Sequence, residues 1–218
     1  MNPLHPFISD SSLDPIDIAT DGVVELLRFG GVEVVSLSAV ARWASRTRSS
    51  MHQRHGSSER FVVDVVARFG RRWTEWVVGT SRDAVNPIRL PRDPNEVDGV
   101  RAWQAIRMVA EGARRAGRPQ ASVFVEDALA AERRHIADHL ARRLGRTVLA
   151  REVEYLVVLA EGLRSRIVAR EAALAPGEAD LMLRHHFYDV LGLDLGPADL
   201  SIAECALLER AWRDRPAI

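Results

Sequence analysis

The stretch from Ser36 to Phe61, SLSAVARWASRTRSSMHQRHGSSERF, admits few folds. Ser36 is a good N-cap residue, and Leu37, Val40, Ala41 and Ala44 follow it at helical spacing. The segment so marked is about two turns long, too short to stand without neighbours packed on it. The pattern breaks at Ser45-Arg46. Thr47 can then cap a second short helix, Arg48 to His55, with Met51 as its one clearly apolar inward residue. Gly56 stops that helix, and Ser57 caps a third in which Glu59 suits the positive end of the helix dipole.

Two short helices joined by a tight turn make a helix-turn-helix, whose second helix can enter a DNA major groove. Charge supports that reading. Between Arg42 and Arg60 stand five arginines and two histidines against one acid, Glu59. Formal net charge over the chain is zero, so any affinity for nucleic acid must come from such a local patch. All thirty basic residues are arginine. Thr47, Ser49, Ser50, His52 and Gln53 add short or amide side chains suited to base edges and phosphates.

On these residues the chain resembles the TetR-type transcriptional regulators. Residues 16 to 69 are similar to the N-terminal domain of that family, in the pieces VVELLRFGG, SLSAVARWA, SRTRSSMHQRH and GSSERF. The resemblance implies an all-α fold, an N-terminal three-helix helix-turn-helix domain followed by a larger helical bundle. It also implies operator DNA as partner, contacted by Ser36, Arg46, Thr47, Arg48, Ser49, Ser50, His52, Gln53, Arg54 and Ser58. The chain departs from the family pattern at Ser45, where a glycine is usual, at His52, where a tyrosine is, and at Ser58, where a lysine is. Residues 1 to 15 also lack the usual basic arm. These departures leave open a second reading, a TetR-fold protein that has lost operator binding and acts through a partner protein.

Elsewhere the chain also reads as helix. Asp14-Pro15 pairs a cap with proline at the first helical position, and Ile16, Ala19, Val23, Leu26 and Leu27 follow as one stripe. Residues 1 to 13 read as a flexible lead. The helix after Ser57 carries Val62, Val65, Val66, Phe69, Trp73, Trp76 and Val77 inward. The stretch 79–97, with three prolines, reads as a linker, giving a DNA-binding domain at 14–79 and an effector and dimerisation domain at 80–218. Helices are expected over 97–115, 121–144, 151–173, 178–191 and 197–213. The stretch LAEGLRSRIVAREAALAPGEADLMLRHHFYDVL resembles the paired C-terminal helices through which TetR-type proteins form homodimers. That places Leu156, Leu163, Ile167, Leu183, Phe187 and Val190 at the expected interface.

The resemblance further implies a small-molecule effector. Trp103, Arg107, Met108, Phe124, His135, His139 and Tyr155 mix apolar walls with polar anchors and are its expected pocket, or else plain core. Glu132, His135 and His139 stand at i, i+3 and i+7 and could offer one face to a metal, which gives a helical metal-binding protein as a further alternative. Without partner ligands they read as a solvated or pocket-lining face, and no metal or cofactor is expected. No Gly-rich phosphate loop, Gly-x-Ser-x-Gly elbow or Cys/His cluster appears, and nothing argues for an enzyme. The single cysteine, Cys205, excludes an intrachain disulfide. The N-terminal residues lack the charge and apolar run of a signal peptide, and no apolar run approaches the ~18 residues of a membrane span. A cytoplasmic protein is expected.

Overall fold

A computed structural model describes residues 6–8, 14–45, 48–79, 86–169 and 174–191, apart from the side chains of Arg48 and of 188–191. Among the described residues the protein is all-α, with no strand. Its helices are α1 (Pro15–Leu27), α2 (Leu37–Trp43), α3 (Arg48–His55), α4 (Ser58–Val78), α5 (Pro94–Arg115), α6 (Gln120–Leu144), α7 (Ala150–Val168) and α8 (Pro176–Leu191), with one 3-10 turn at Val32–Val34. None of the described helices is long and apolar enough to cross a membrane.

The caps are local chemistry. Asp14 Oδ1 accepts from the Ile16 N–H at 3.0 Å and Pro15 opens α1. The same device starts α5, where Asp93 Oδ1 accepts from Asn95 and Glu96 N–H ahead of Pro94. The expected start at Val97 is therefore too late, because a cap followed by proline pre-sets the first turn. Glu152 reaches back to accept from the Leu149 N–H at 2.8 Å and begins α7. The expected helix over 197–213, and Cys205, lie outside the described residues.

The helices divide into two compact units, residues 1–79 with 93–132, and residues 80–92 with 133–218. Thus α5 and the first part of α6, expected in the second domain, fold with α1 to α4. The boundary falls within α6.

The first unit is built on an aromatic core. Phe69, Trp73 and Trp76 from α4 and Trp103 from α5 are buried, with Trp73 and Trp103 stacked at 4.9 Å. Phe7, expected in a flexible lead, is fully buried among them and stacks on Phe69 at 5.4 Å. Gly99 makes room for it, since a Cβ there would run into the Phe7 ring. Below the rings, Arg72 donates to Asp17 Oδ1 at 2.7 Å, to Asp21 Oδ1 at 2.6 Å and to the Phe7 carbonyl at 2.6 Å. Arg68 joins Asp17 and Asp14. Trp76 Nε1 donates to Glu96 Oε1 at 3.0 Å, and Arg28 pairs with Asp98 at 2.9 Å, so α5 is tied to both α4 and α1.

In the second unit, the stretch read as linker is partly packed. Ile88 and Leu90 are buried, and the Arg89 carbonyl accepts from buried Arg164 Nε at 3.0 Å. The inward faces of α7 and α8 are Val153, Leu156, Ala160, Leu163, Ile167, Leu183 and Phe187.

Phe7→Ala is expected to lower the stability of the first unit by about 3–5 kcal/mol, the usual cost of a large-to-small change at a packed aromatic. Denaturant unfolding measures it, and a loss below about 1 kcal/mol would mean that the lead does not plug the core.

Candidate functional site

The segment from Ser36 to Arg60 is held from beneath by its caps and a few anchors. Ser36 Oγ accepts from the Ala39 N–H at 3.2 Å and starts α2. Leu37, Val40 and Ala41 are buried, and α2 crosses close to α1, where a Cβ on Gly22 would meet the Trp43 ring. After Ala44 the chain turns through Ser45 at φ 51°, in the left-handed region. This is the position where the family pattern has glycine, and the backbone has the conformation that favours one. Arg46 and Thr47 lie outside the described residues, as does the side chain of Arg48.

Two side chains anchor α3, Met51 and His55, one turn apart and both buried. The His55 ring meets Phe61 of α4 edge-on, centroids 5.4 Å apart. Ser49, Gln53 and Arg54 are exposed on the rest of the helix, with Ser50 and His52 half-buried. His52 Nδ1 carries its proton and donates to the Gly56 carbonyl at 2.7 Å, so the imidazole is engaged in closing α3. Gly56 takes φ 72° to end the helix, and Ser57 Oγ accepts from the Arg60 N–H at 3.1 Å to start α4. Ser58 and Arg60 are exposed, and Arg60 pairs with Asp64 at 2.9 Å. Burial pushes the His55 imidazole below its ordinary pKa of 6.5, assisted by the Arg54 charge and opposed by Asp64. His55 Nε2 has no hydrogen-bond partner, and a void of about 10 Å³ lies beside it among α1, α2 and α3.

Of the expected effector residues, Trp103, Arg107, Met108 and Phe124 belong to the first unit and His135, His139 and Tyr155 to the second. Trp103 is part of the aromatic core, while Met108 is 64% exposed and Phe124 lies at the surface of the same unit. Arg107 is half-buried. In the second unit His139 is buried and His135 half-buried, and Tyr155 is 51% exposed with its ring 4.6 Å from that of His186. A groove of about 270 Å³ opens elsewhere in the first unit, lined by parts of α4, α5 and α6, and none of the seven lines it. No three His, Cys, Asp or Glu side chains among the described residues are gathered so that they could hold a metal, Glu132, His135 and His139 included.

The expected interface residues are likewise placed inward. Leu156, Leu163, Ile167, Leu183 and Phe187 are buried within a single chain, leaving them no surface for a mate; the side chain of Val190 lies outside the described residues. The main apolar stripes of α7 and α8 are buried. On α7 and α8 the large apolar side chains left exposed, among those described, are Tyr155, Val158, Leu181 and Met182. Tyr155 and Val158, three residues apart on α7, widen its apolar stripe beyond the buried face.

Compared with known proteins, the chain matches no protein-family model, no curated protein sequence and no solved structure.

Two outcomes test this geometry. A non-glycine residue in the left-handed region costs about 1–2 kcal/mol, of which glycine's greater chain entropy returns ~0.5–1. Ser45→Gly is therefore expected to stabilise the protein by up to about 1 kcal/mol, and Ser45→Val to destabilise it by at least as much, by denaturant unfolding. The second is pH. Because His55 is depressed in the folded state, the unfolded chain takes up its proton first as pH falls. Its contribution is complete above 6.5 and is lost as pH drops through the folded value. Between about pH 7.5 and about pH 5 the parent should lose more stability than His55→Gln. Equal slopes would mean that this imidazole is not buried.

Proposed function

We propose that the protein is a TetR-type, DNA-binding transcriptional regulator, acting as a homodimeric, ligand-responsive repressor. The observation that carries the reading is the division of α3. Met51 and His55 hold the helix down, while Ser49, Gln53 and Arg54 stand exposed to solvent. A short helix anchored on one side and polar on the other, after a tight turn through Ser45, is what a recognition helix needs. Arg42, Arg54 and Arg60 are exposed around it and suit phosphate oxygens.

In this reading Gln53 and Arg48 read base edges, while Ser36, Arg46, Thr47 and Ser58 fix register on the backbone. Two copies of α3 must sit about 34–36 Å apart to meet successive major grooves. The homodimer is supported by Tyr155, Val158, Leu181 and Met182, exposed apolar residues on α7 and α8. A ligand that binds better to a misaligned dimer would shift the population off DNA. The long α4 would carry that displacement, because its first turn abuts α3 and its core residues are held by α1 and α5.

One observation favours the second reading, a regulator fold without operator binding. His52, at the position of the family's phosphate-contacting tyrosine, is engaged with Gly56, and Ser58 offers no cation. A mobility shift with DNA from upstream of the protein's own coding sequence, at stated salt, separates the two.

If DNA binds, Gln53→Ala should weaken specific binding by about 1–3 kcal/mol, the worth of a good bidentate base contact. Arg54→Ala should instead flatten the salt dependence by roughly 0.9 in log–log slope and weaken all sequences alike. Both side chains are exposed, so unfolding curves should not move. Retention of full affinity by both variants removes α3 from the interface. For the dimer, Val158→Asp should raise the dissociation constant by about tenfold or more in sedimentation equilibrium.

A further inference from the structure

We propose that the groove formed by the first turn of α4, the end of α5 and the start of α6 binds a small amphipathic anion, chemically a medium-chain carboxylic acid, with Arg118 as its charge partner. The walls are Val62 and Val63 from α4, Val109 and Ala113 from α5 and Ala121 from α6. These are buried or half-buried, whereas the polar lining residues, Arg118 and Glu59 among them, are exposed. The groove is thus apolar within and polar at its mouth. Its volume of about 270 Å³ falls just below what drug-sized ligands fill, which selects a smaller molecule such as one short alkyl chain with a head group.

Charge selects the head group. The turn carrying Arg118 is rigid: Gly117 takes φ 76°, the Arg118 N–H donates to the Ala113 carbonyl at 2.9 Å, and Pro119 follows. The guanidinium meets Glu59 at 2.8 Å, but both side chains are more than half exposed, at 52% and 65%. Such a pair contributes little net stability, so a ligand carboxylate can take Arg118 over. Glu59, once released, remains in the first turn of α4, where the helix dipole favours an acid. A cationic ligand would face the opposite situation. It would sit beside the N-terminal turns of α4 and α6 and beside a guanidinium that had lost its partner. Glu111, near the end of α5, is already taken by Arg114 and Arg115 at 2.7 and 2.9 Å.

Occupancy would also reach α3. Ser58 and Glu59 directly follow the Ser57 cap, and a ligand seated behind them moves the turn against which α3 ends. That consequence rests on the regulator reading; the binding itself does not.

The test is calorimetric titration of the full chain with octanoate, octanol and octylamine. Octanoate is expected to bind tightest, and Arg118→Gln, a surface change, to weaken it by about tenfold or more, to the level of octanol. Ala113→Phe fills the groove and should abolish binding. Should that variant not fold, methyl shifts of Val62 and Val63 on adding octanoate to the parent protein report occupancy directly. Octanoate binding no tighter than its neutral or cationic analogue, full affinity in Arg118→Gln, or unmoved valine methyls would each overturn the site. Octanoate bound to a protein that forms no DNA complex supports the site and sinks the regulator reading. No octanoate binding by a protein that does form one overturns the site alone.

Discussion

The ion cluster around Asp17 determines how the first unit is assembled. Its carboxylate takes Arg72 through one oxygen and Arg68 through the other, and Arg72 reaches on to Asp21 and the Phe7 carbonyl. Buried charges are tolerable only when nearly every donor and acceptor is met. The bonds from Arg68 and Arg72 to Asp17 and Asp21 set the register of α1 against α4. On energetics alone, apolar side chains of the same volume would serve as well or better. What they would lack is direction, since rings and aliphatic chains slide where a guanidinium between two carboxylates does not. The aromatic stack of Phe7, Phe69, Trp73 and Trp103 lies against this cluster and supplies the apolar burial that the ions do not.

From that cluster the packing runs outward along α4. The helix is 21 residues long; Phe69, Arg72, Trp73 and Trp76 hold its second half, and Phe61, Val65 and Val66 are buried in its first. That first half begins at Ser58, with Phe61 receiving the His55 ring. Nothing in α3 would keep it helical alone. It has eight residues, one aliphatic anchor and four side chains that are basic or imidazole, and isolated helices shorter than ~12–15 residues are marginal in water. Its placement is borrowed from α4 and from the caps at Gly56 and Ser57.

Much of this was legible, because capping and periodicity are local. Asp14-Pro15, Ser36 and Ser57 each mark a helix start within a residue of where it falls. Asp93-Pro94 carries the same signal, but three prolines in a short stretch read as a linker. Phe7 could not be found this way. A lone aromatic in a proline-containing lead has no period, and its partner, the cleft left by Gly99, is far off in sequence. The interface residues failed for a different reason. Periodicity says that Leu156, Leu163 and Ile167 face something apolar, but not whether that is their own unit or another chain. The groove at Arg118 gave almost no signal, since its walls are contributed a residue or two at a time by three helices.

The departures at Ser45 and His52 acquire physical content once the backbone is known. Ser45 sits at φ 51° without the freedom of glycine, so the turn into α3 stores strain of the order of 1 kcal/mol. His52 spends its Nδ1–H on Gly56, which secures the end of the helix where the family pattern has a phosphate contact. One departure loosens the entry to α3 and the other tightens its exit. A helix strained at its start, anchored by two side chains and closed against the first turn of α4 belongs among the least stable elements of its unit. Its position should therefore respond to whatever moves Ser58, which lies on the rim of the groove that Arg118 also lines.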